Sequence, residues 1–486
     1  MQDKAQQAEG ILDIKNGQIP AGRPVVCVQG LGFVGTAMAT AIAAARDRVT
    51  QVPYFDVIGV ELPTPEGLAK LDAINAGILP FECADTKLMD ALSQAHTTGN
   101  LMVTTDSAAY ALANVTVVDV NLDVAYGNGE PTLALHGFRA AIRMLGQYMQ
   151  PGALIIVETT VPPGTCEKVA APELAAALAE RNLPPDALLL AHAYERVMPG
   201  KDYLDSITNF WRVYAGHTPK AADACEEFLS KLINIEEYPL TRLPSTTASE
   251  IAKVLENSYR ATTIAFMEEW GRFAEAVGVD LFEVVSAIRR RPTHNNMRQP
   301  GFGVGGYCLT KDPLLTGLAA KEFYDVDLKF PFSSQAVSTN NAMPLVTLDY
   351  VQQLLGGDLS GKTILLLGVS YRQDVGDTRY SPAQPFVIEA RARGAKIMCH
   401  DPLLDYWPEL DWHLLDEIPD SDGLDAVVFS VPHKEYVELD LPTWLNGASP
   451  LIVDANNVLG DAQRYSLTQT NCRLFSIGRG LEKFGV

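Results

Sequence analysis

The feature that most limits how this chain can fold is a strand–turn–helix segment near its start, VVCVQGLGFVGTAMATAIAAA. Gly30, Gly32 and Gly35 form a G-x-G-x-x-G pattern that directly follows an apolar strand and opens an Ala-rich helix. The first glycine permits a tight turn, the second lets the backbone approach a pyrophosphate, and the third allows close helix–strand packing. The helix N-terminus then faces the anion. The segment therefore predicts a dinucleotide-binding turn.

The next predicted strand ends in VIGVEL, which places Glu61 where an acid would bind the adenosine ribose hydroxyls. An acid at this position also repels a 2′-phosphate, so the cofactor predicted is NAD rather than NADP. The alternative is a purely structural glycine turn without a nucleotide. The later ILLLGVSY has no second or third glycine at that spacing, so we expect no second dinucleotide site.

Apolar runs alternate with helical patterns in two separate parts of the chain. The first part contains PVVCVQGLG, FDVIGVEL, ANVTVVDVNL and ALIIVETTV, and the second contains KTILLLGV, RGAKIMCHDP, LDAVVFSV and PLIVDANNV. Continuous apolar strands between helices indicate parallel sheets covered on both faces. One long helical pattern spans about residues 245–279. The fold predicted is α/β, with two Rossmann-like parallel-sheet domains joined by a central helical region with one long helix. The predicted parts are a polar arm at 1–23, then domains at 24–240, 241–340 and 341–486.

Composition excludes several classes of partner. The 486 residues carry a net charge of −21, so nucleic acid and anionic membranes would repel the chain. No apolar run approaches the ~20 residues of a membrane helix, and the N-terminus lacks the apolar core of a signal peptide. The seven scattered cysteines form neither a disulfide framework nor a metal-ligand cluster. We therefore expect a cytoplasmic protein with reduced thiols and no metal.

One cysteine stands in an unusual setting, PGFGVGGYCLTKDP. The ordinary role of a free cysteine such as Cys308 is that of a small buried hydrophobe. Here, however, many glycine N–H groups precede it without side-chain bulk, which suits close contact with a sugar or a phosphate. Lys311 and Asp312 follow within four residues, and a nearby cation favours the thiolate.

A second pair of polar residues lies in the long helical pattern. Lys253 and Asn257 are spaced i, i+4 on a stripe that continues through the apolar Ala261. A buried lysine and amide need a partner, and an oxyanion that develops during a reaction is a suitable one. The alternative is that Lys253 merely pairs with Glu250 or Glu256 on the surface.

Six separated motifs, taken together, resemble the nucleotide-sugar 6-dehydrogenases, the family of UDP-glucose and UDP-N-acetylhexosamine dehydrogenases. The resemblance covers roughly residues 24 to 480. The motifs are GLGFVG, VETTVPPGT (157–165), YERVMPGK (194–201), AKVLENSYRA (252–261), GFGVGGYCLTKDP and GVSYRQDVGDTRYSPA (368–383).

The resemblance implies roles for individual residues. Cys308 would be the catalytic thiol, Lys253 and Asn257 would hold the oxyanion, and Asp312, Glu195 and Thr160 would handle water and protons. The cofactor site would comprise Gly30, Gly32, Phe33, Val34, Gly35, Glu61, Thr160 and Arg379. The substrate site would comprise Glu195, Arg196, Lys253, Asn257, Arg298, Phe302, Gly303, Gly305, Gly306 and Arg372.

The resemblance also implies an assembly. It predicts a homodimer built around the long central helix, with NAD in the first domain and the nucleotide sugar in the C-terminal domain. Arg291 and Arg298 are both candidates for the family's cross-subunit substrate arginine. The sequence departs from the family at DVNLDV (119–124), where VPTP is usual, and at VDANN, where asparagine replaces an arginine.

The expected reaction is NAD-dependent four-electron oxidation of the C6 alcohol of a nucleotide sugar, in polysaccharide biosynthesis. RQPGFGVGGYC and SYRQDVGDTRYSP favour a UDP-N-acetylhexosamine, whereas the lysine of TKDP is more typical of enzymes that act on UDP-glucose, the alternative substrate. A two-electron dehydrogenase of the 6-phosphogluconate or 3-hydroxyacid type needs neither this cysteine nor residues 345–486. A non-catalytic nucleotide-sugar binding protein is the alternative from another class.

Overall fold

Two parallel sheets organise the chain, as seen in a computed structural model that describes residues 22–127, 130–197 and 200–481. The polar arm predicted at 1–23 lies outside the described residues except for its last two. One compact unit comprises the chain up to Val254 together with Leu315–Leu328. The other comprises Leu255–Leu314 and the chain from Lys329 on. The boundaries predicted for three domains stay a prediction.

The first unit is built on a sheet whose inner strands are buried from end to end. The strands are β1 (Val25–Gln29), β2 (Asp56–Val60), β3 (Leu101–Thr104), β4 (Val115–Val118), β5 (Asp123–Gly127), β6 (Glu130–Ala134), β7 (Leu154–Val157), β8 (Leu189–Tyr194), β9 (Val213–Gly216) and β10 (Thr241–Arg242). The helices are α1 (Phe33–Ala44), α2 (Pro65–Asn75), α3 (Thr86–Thr98), α4 (His136–Tyr148), α5 (Ala171–Glu180), α6 (Tyr203–Thr208) and α7 (Pro219–Leu232).

The strand order of this sheet is β10-β9-β8-β7-β4-β1-β2-β3, and β5 and β6 form a separate hairpin. All neighbouring pairs in the sheet are parallel except β8 with β9. The chain leaves β1 in one direction for β2 and β3 and in the other for β4 and β7, so the order reverses beside β1. Ligands of open α/β sheets bind outside the carboxyl ends of the strands at such a reversal.

Side chains of one strand enter two different cores, which explains the continuous apolar runs. Val26 and Val28 belong to one buried cluster, and Val25 and Cys27 belong to another on the opposite face. A strand covered on both faces by helices needs apolar residues at every position. The same reasoning holds for the second sheet, where Leu366 and Leu367 enter separate clusters.

The second sheet has the order β12-β11-β15-β16-β17-β18 and is parallel except for its last pair. Its unit contains β11 (Thr363–Leu367), β12 (Lys396–His400), β13 (Tyr406–Trp407), β14 (Trp412–His413), β15 (Ala426–Phe429), β16 (Leu451–Asp454), β17 (Arg473–Ser476) and β18 (Gly480–Leu481). The remaining helices are α8 (Thr246–Val277), α9 (Leu281–Arg289), α10 (Tyr307–Tyr324), α11 (Pro331–Leu354), α12 (Ala383–Ala392), α13 (Lys434–Val437), α14 (Leu441–Leu445) and α15 (Asp461–Leu467).

The fold class predicted from the sequence is therefore confirmed. The long helical pattern expected at about 245–279 is the 32-residue helix α8. Among the helices that the structure describes, none is both long and apolar enough to cross a membrane.

Candidate active site

The turn after β1 has the shape that a pyrophosphate site requires. Gly30 has a φ of +89°, and a Cβ on it would lie 2.9 Å from the carbonyl oxygen of Asp119. A Cβ on Gly35 would lie only 1.9 Å from the carbonyl oxygen of Gly30. At Gly32, by contrast, a Cβ would meet open space, and this residue has no side chain to cap helix α1. Two glycines serve close packing and the third leaves the helix N-terminus accessible, so the turn fits a dinucleotide phosphate.

Glu61 follows β2 and folds back toward this turn. Its Oε2 accepts a hydrogen bond from the Leu31 amide at 2.9 Å, and its Oε1 accepts one from the Leu62 amide at 2.8 Å. The Lys70 ammonium lies 3.8 Å from Oε2. These contacts thus hold the carboxylate beside the glycine turn. Its contact with the ribose stays a prediction.

Phe33 and Thr160 follow two strands of the same sheet, β1 and β7. The Phe33 ring stacks on Phe81 with centroids 4.6 Å apart, and the Phe33 carbonyl accepts a hydrogen bond from the Tyr203 hydroxyl at 2.7 Å. Thr160 lies three residues beyond the end of β7 and is partly buried. Val34 is the second residue of α1. The cofactor roles assigned to these residues stay predictions.

The segment that carries Thr160 is attached to helix α8 by a carboxylate. Glu250 is fully buried and accepts hydrogen bonds from the amides of Gly164 at 2.5 Å and Cys166 at 2.8 Å. Burial raises the pKa of Glu250 to about 7, although both amide hydrogen bonds lower it. Sequence reasoning had considered Glu250 only as a surface partner of Lys253. Its actual function is to fix the loop after β7.

Lys253 and Glu195 form a buried ion pair. The Lys253 ammonium donates to the Glu195 carbonyl at 2.7 Å and to Glu195 Oε2 at 3.0 Å, and it lies 5.4 Å from the centre of the Tyr194 ring. Lys253 is only 6% exposed. The alternative of a surface pair with Glu250 or Glu256 is therefore wrong, because the helix turns Lys253 inward.

Arg196 lies next to this pair and is fixed by neighbours of its own. Its guanidinium donates to the Trp211 carbonyl at 2.5 Å and to the Tyr194 hydroxyl at 3.1 Å. It also lies 5.1 Å from the centre of the Tyr194 ring. The Tyr194 ring therefore contacts two cations, Lys253 and Arg196. The sequence did not single out Tyr194, since an aromatic residue at a strand end is ordinarily core.

Three further charged residues lie at the same edge, and sequence reasoning missed them. Arg212 Nη1 donates to Glu158 Oε1 at 2.5 Å, and both side chains are almost fully buried. Asp119 lies within hydrogen-bonding range of Glu158, and burial followed by the Glu158 charge raises the pKa of Asp119. Burial also raises the pKa of Glu158 to about 7. The sequence did carry a signal for Asp119, because the segment DVNLDV (119–124) begins with this acid where the family usually has VPTP.

In the second unit, Cys308 is exposed in the first turn of helix α10. The other cysteines are buried or half-buried. Loss of solvation and the neighbouring Arg298 and Arg372 cations lower the pKa of the Arg260 guanidinium, whereas the Cys308 thiolate raises it. Arg260 thus lies within electrostatic range of the thiol and of two further arginines. Arg260 was missed, although it lies three residues after Asn257 in α8.

Two of the residues assigned to catalysis, Asn257 and Asp312, contact each other directly. Asn257 Nδ2 donates to Asp312 Oδ2 at 2.7 Å, and the Lys311 ammonium pairs with Asp312 Oδ1 at 3.1 Å. Asp312 is 1% exposed. The ammonium of Lys311 also lies 5.7 Å from the centre of the Tyr307 ring. Asp312 therefore orients the Asn257 amide, and Lys311 neutralises Asp312.

The glycine loop before the thiol packs against protein. A Cβ on Gly305 would lie 2.5 Å from the Tyr380 carbonyl oxygen, and one on Gly306 would lie 3.0 Å from the Tyr371 ring. Gly303 has a φ of +102°. The absence of side chains here is therefore required by packing, and contact of the loop backbone with a sugar stays a prediction. Phe302 is 2% exposed and belongs to the core, and its assigned contact with the substrate stays a prediction.

The remaining arginines differ in their surroundings. Arg379 binds the Asp377 carboxylate through Nε and Nη2, with Nη2 at 2.7 Å, and lies 5.1 Å from the centre of the Tyr307 ring. Arg298 lies beside Arg260, whereas Arg291 is exposed after helix α9. The substrate role assigned to Arg298 or Arg291 stays a prediction. Nowhere in the described residues do three or more His, Cys, Asp or Glu side chains form a group that could hold a metal ion.

Comparison with known proteins places three family models on this chain in order. The models of the UDP-glucose/GDP-mannose dehydrogenase family match as its NAD binding domain at 25–233, its central domain at 247–342 and its UDP binding domain at 365–461. The chain is 29% identical to UDP-N-acetyl-D-mannosamine dehydrogenase of Methanocaldococcus jannaschii over 441 residues, which are 89% of this chain and 92% of the relative.

Two further proteins support the same assignment. NDP-N-acetyl-D-galactosaminuronic acid dehydrogenase of Ralstonia nicotianae is 28% identical over 429 residues, covering 85% of this chain and 92% of the relative. The solved structure of UDP-D-ManNAc dehydrogenase from Pyrococcus horikoshii has a TM-score of 0.77 at 27% identity, covering 94% of this chain and 99% of the other. The chain therefore belongs to the UDP-glucose/GDP-mannose dehydrogenase family, and it is an NAD-dependent nucleotide-sugar dehydrogenase.

Proposed function

We propose that the protein oxidises the C6 primary alcohol of a UDP-N-acetylhexosamine to the acid, with Cys308 as the covalent nucleophile. The observation that carries the proposal is the position of Cys308. It is the exposed cysteine, it begins a helix, and Arg260 is close enough to interact with its charge. A helix N-terminus and a nearby cation both favour the thiolate, which is the reactive form.

The proposed chemistry assigns each step to a residue type. The alcohol gives a proton to a base, for which Glu195 or a water held by Thr160 is proposed. NAD, which the Gly30 turn and Glu61 would hold, would supply the hydride acceptor for each of the two oxidations, one molecule for each. The Cys308 thiolate adds to the aldehyde carbon and forms a thiohemiacetal, and the second two-electron oxidation turns this adduct into a thioester. Water hydrolyses the thioester, releasing the acid and the free thiol.

The oxyanion formed on the sugar oxygen needs donors that are already in place. Lys253 and Asn257 are proposed for this function because they are four residues apart on α8 and both are nearly buried. Asp312 supports the proposal because it accepts one hydrogen of the Asn257 amide and so fixes the orientation of that amide. The second amide hydrogen is then the one proposed to bind the oxyanion. Glu195 likewise holds the Lys253 ammonium.

The sugar is proposed from the relatives, whose names specify N-acetyl-D-mannosamine and N-acetyl-D-galactosaminuronic acid. The test is a panel of UDP- and GDP-sugars, assayed for NADH released per sugar consumed. A UDP-N-acetylhexosamine should give two NADH per sugar and the highest kcat/KM. Preference for UDP-glucose would replace the substrate assignment, and one NADH per sugar would indicate a two-electron enzyme. Binding without NADH would indicate a non-catalytic binding protein.

The nucleophile is tested by Cys308→Ala, with Cys83→Ala as a matched control at the half-buried cysteine. Cys308→Ala should abolish four-electron turnover and leave NAD and nucleotide-sugar binding within a few-fold. The control should retain two NADH per sugar. Near wild-type turnover in Cys308→Ala would refute the role of the thiol.

We also propose a homodimer that pairs the exposed apolar stripe of α8. The stripe comprises Leu255, Tyr259, Phe266, Trp270, Phe273 and Val277, each between 48% and 63% exposed. An exposed apolar patch of this kind is stabilised when another apolar surface covers it. The same stripe on a second copy of the chain supplies such a surface. Light scattering of Phe273→Asp should show a monomer, whereas Val49→Asp, in a loop, should leave the dimer intact. A cytoplasmic location stays a prediction, to be checked by fractionation.

A further inference from the structure

Two carboxyl groups meet at the ends of neighbouring strands. In the parallel register Val118 of β4 pairs with Val157 of β7, so the next residues, Asp119 and Glu158, are neighbours at the carboxyl edge of the sheet. Asp119 is partly exposed as a residue, but its Oδ2 is buried. Glu158 Oε2 is buried as well, and no donor in the described residues reaches either oxygen.

The other oxygen of Glu158 already has a partner. Glu158 Oε1 accepts the hydrogen bond from Arg212, so Oε2 is the oxygen left for Asp119. Two buried carboxylates in hydrogen-bonding range cannot both remain ionised, because desolvation and mutual repulsion both oppose the second charge. One proton held between them satisfies both orphaned oxygens with a single hydrogen bond.

The surrounding charges balance only when this proton is present. The groups that face the pair are Arg212 just before β9, Glu195 after β8 with its partner Lys253 of α8, and Cys225 of α7. Burial raises the pKa of Cys225, so this thiol stays neutral. The carboxylates of Glu158 and Glu195 are then matched by the two cations. Loss of the shared proton adds one unmatched negative charge.

The negative charge left by loss of the shared proton would lie next to the dinucleotide turn, because Asp119 packs against two of its glycines. The Asp119 carbonyl oxygen lies 2.9 Å from the position of a Cβ on Gly30, and Asp119 Cβ lies 3.3 Å from that of a Cβ on Gly35. A pyrophosphate bound over this turn carries negative charge itself. In a poorly solvated site the repulsion between the two is only weakly screened.

We propose that Asp119 and Glu158 share one proton and that this proton controls NAD affinity. With the proton in place the edge is electrically balanced and binds NAD tightly, whereas after its loss NAD binds weakly. Linkage requires the reverse effect as well, so NAD binding at alkaline pH takes up a proton. Asp119 is a positioning residue in this proposal, and the proposal does not depend on the thiol chemistry.

The first experiment titrates NAD calorimetrically across about pH 6 to pH 9 in wild-type enzyme, Asp119→Asn and Asp56→Asn. Wild-type Kd should rise with pH, by at most about tenfold per pH unit for one linked proton. Asp119→Asn should bind within a few-fold of wild type at the acid end and show a much flatter profile, because its amide donates permanently to Glu158. Asp56→Asn is the control, because it replaces a buried acid at the first residue of β2, at the strand end away from the dinucleotide turn. This variant should keep the wild-type dependence of Kd on pH.

The second experiment needs no substitution. Calorimetry in buffers of different ionisation enthalpy gives the number of protons taken up when wild-type enzyme binds NAD. Uptake should be near zero at the acid end and should approach one proton at the alkaline end. Zero uptake throughout would overturn the proposal, and so would an Asp119→Asn variant with the wild-type slope.

Discussion

Glu250 offers a direct test of how the loop after β7 is held on helix α8. The substitution is Glu250→Gln, which keeps the size of the side chain but replaces a carboxylate that accepts two amide hydrogen bonds. The glutamine amide can accept only one of them, because its nitrogen is a donor. The other buried N–H would be left unsatisfied, at about 1–3 kcal/mol.

Ionisation of Glu250 also makes the free energy of unfolding depend on pH. Burial raises the pKa of Glu250 from its ordinary 4.5 to about 7, which corresponds to about 3 kcal/mol at about 1.36 kcal/mol for each tenfold change in proton affinity. Between these two pH values the native state binds a proton that the unfolded state has lost. The free energy of unfolding of the wild type therefore falls as pH rises from about 4.5 to about 7. The glutamine variant lacks this contribution.

The assay compares thermal unfolding of wild type and Glu250→Gln across this pH window, with Glu269→Gln as an exposed control on the same helix. The Tm deficit of Glu250→Gln should shrink toward higher pH, where the wild type carries the buried charge. Hydrogen exchange at the amides of Gly164 and Cys166 should speed up in this variant. A deficit that does not change with pH, together with unchanged exchange, would refute the reasoning.

Three other substitutions test the site. Glu61→Ala should lower the ratio of kcat/KM for NAD over NADP, because the acid that repels a 2′-phosphate is gone; an unchanged ratio would contradict this. Lys253→Ala and Asn257→Ala should each lower kcat by ~10²–10³ while nucleotide-sugar affinity changes little, since the oxyanion exists only during turnover. Variants that only melt earlier with kcat intact would make these residues structural. Arg260→Gln should slow iodoacetamide alkylation of Cys308 at neutral pH, and Arg260→Lys should largely restore it; equal rates would remove Arg260 from the thiol's environment.

The sheets and the long helix could be predicted because their signals are local. Strands such as LIIV (154–157) are apolar at every position, and burial of both faces requires this composition. The helix expected at about 245–279 runs from Thr246 to Val277, and Gly278, with a φ of +73°, follows it. Glycine at such a position is the common end of a helix.

The partners within the site could not be predicted, because they are distant in sequence. Lys253 binds Glu195, 58 residues away, and Asn257 binds Asp312, 55 residues away. Spacing along a helix shows which side chains share a stripe, but not what faces them. The glycines at 305 and 306 illustrate the same limit, since a sequence does not distinguish a space kept for a ligand from one filled by Tyr371.

An acidic chain binds an anionic dinucleotide here because each carboxylate at the edge of the first sheet is compensated in its own way. Strands β2, β4, β7 and β8 each end near an acid, and these acids are Glu61, Asp119, Glu158 and Glu195. Glu61 accepts backbone amides, Glu158 pairs with Arg212 and Glu195 pairs with Lys253. For Asp119, the negative charge is proposed to be neutralised by the proton that it shares with Glu158. Sensitivity of NAD binding to alkaline pH should therefore be concentrated at the pair of Asp119 and Glu158.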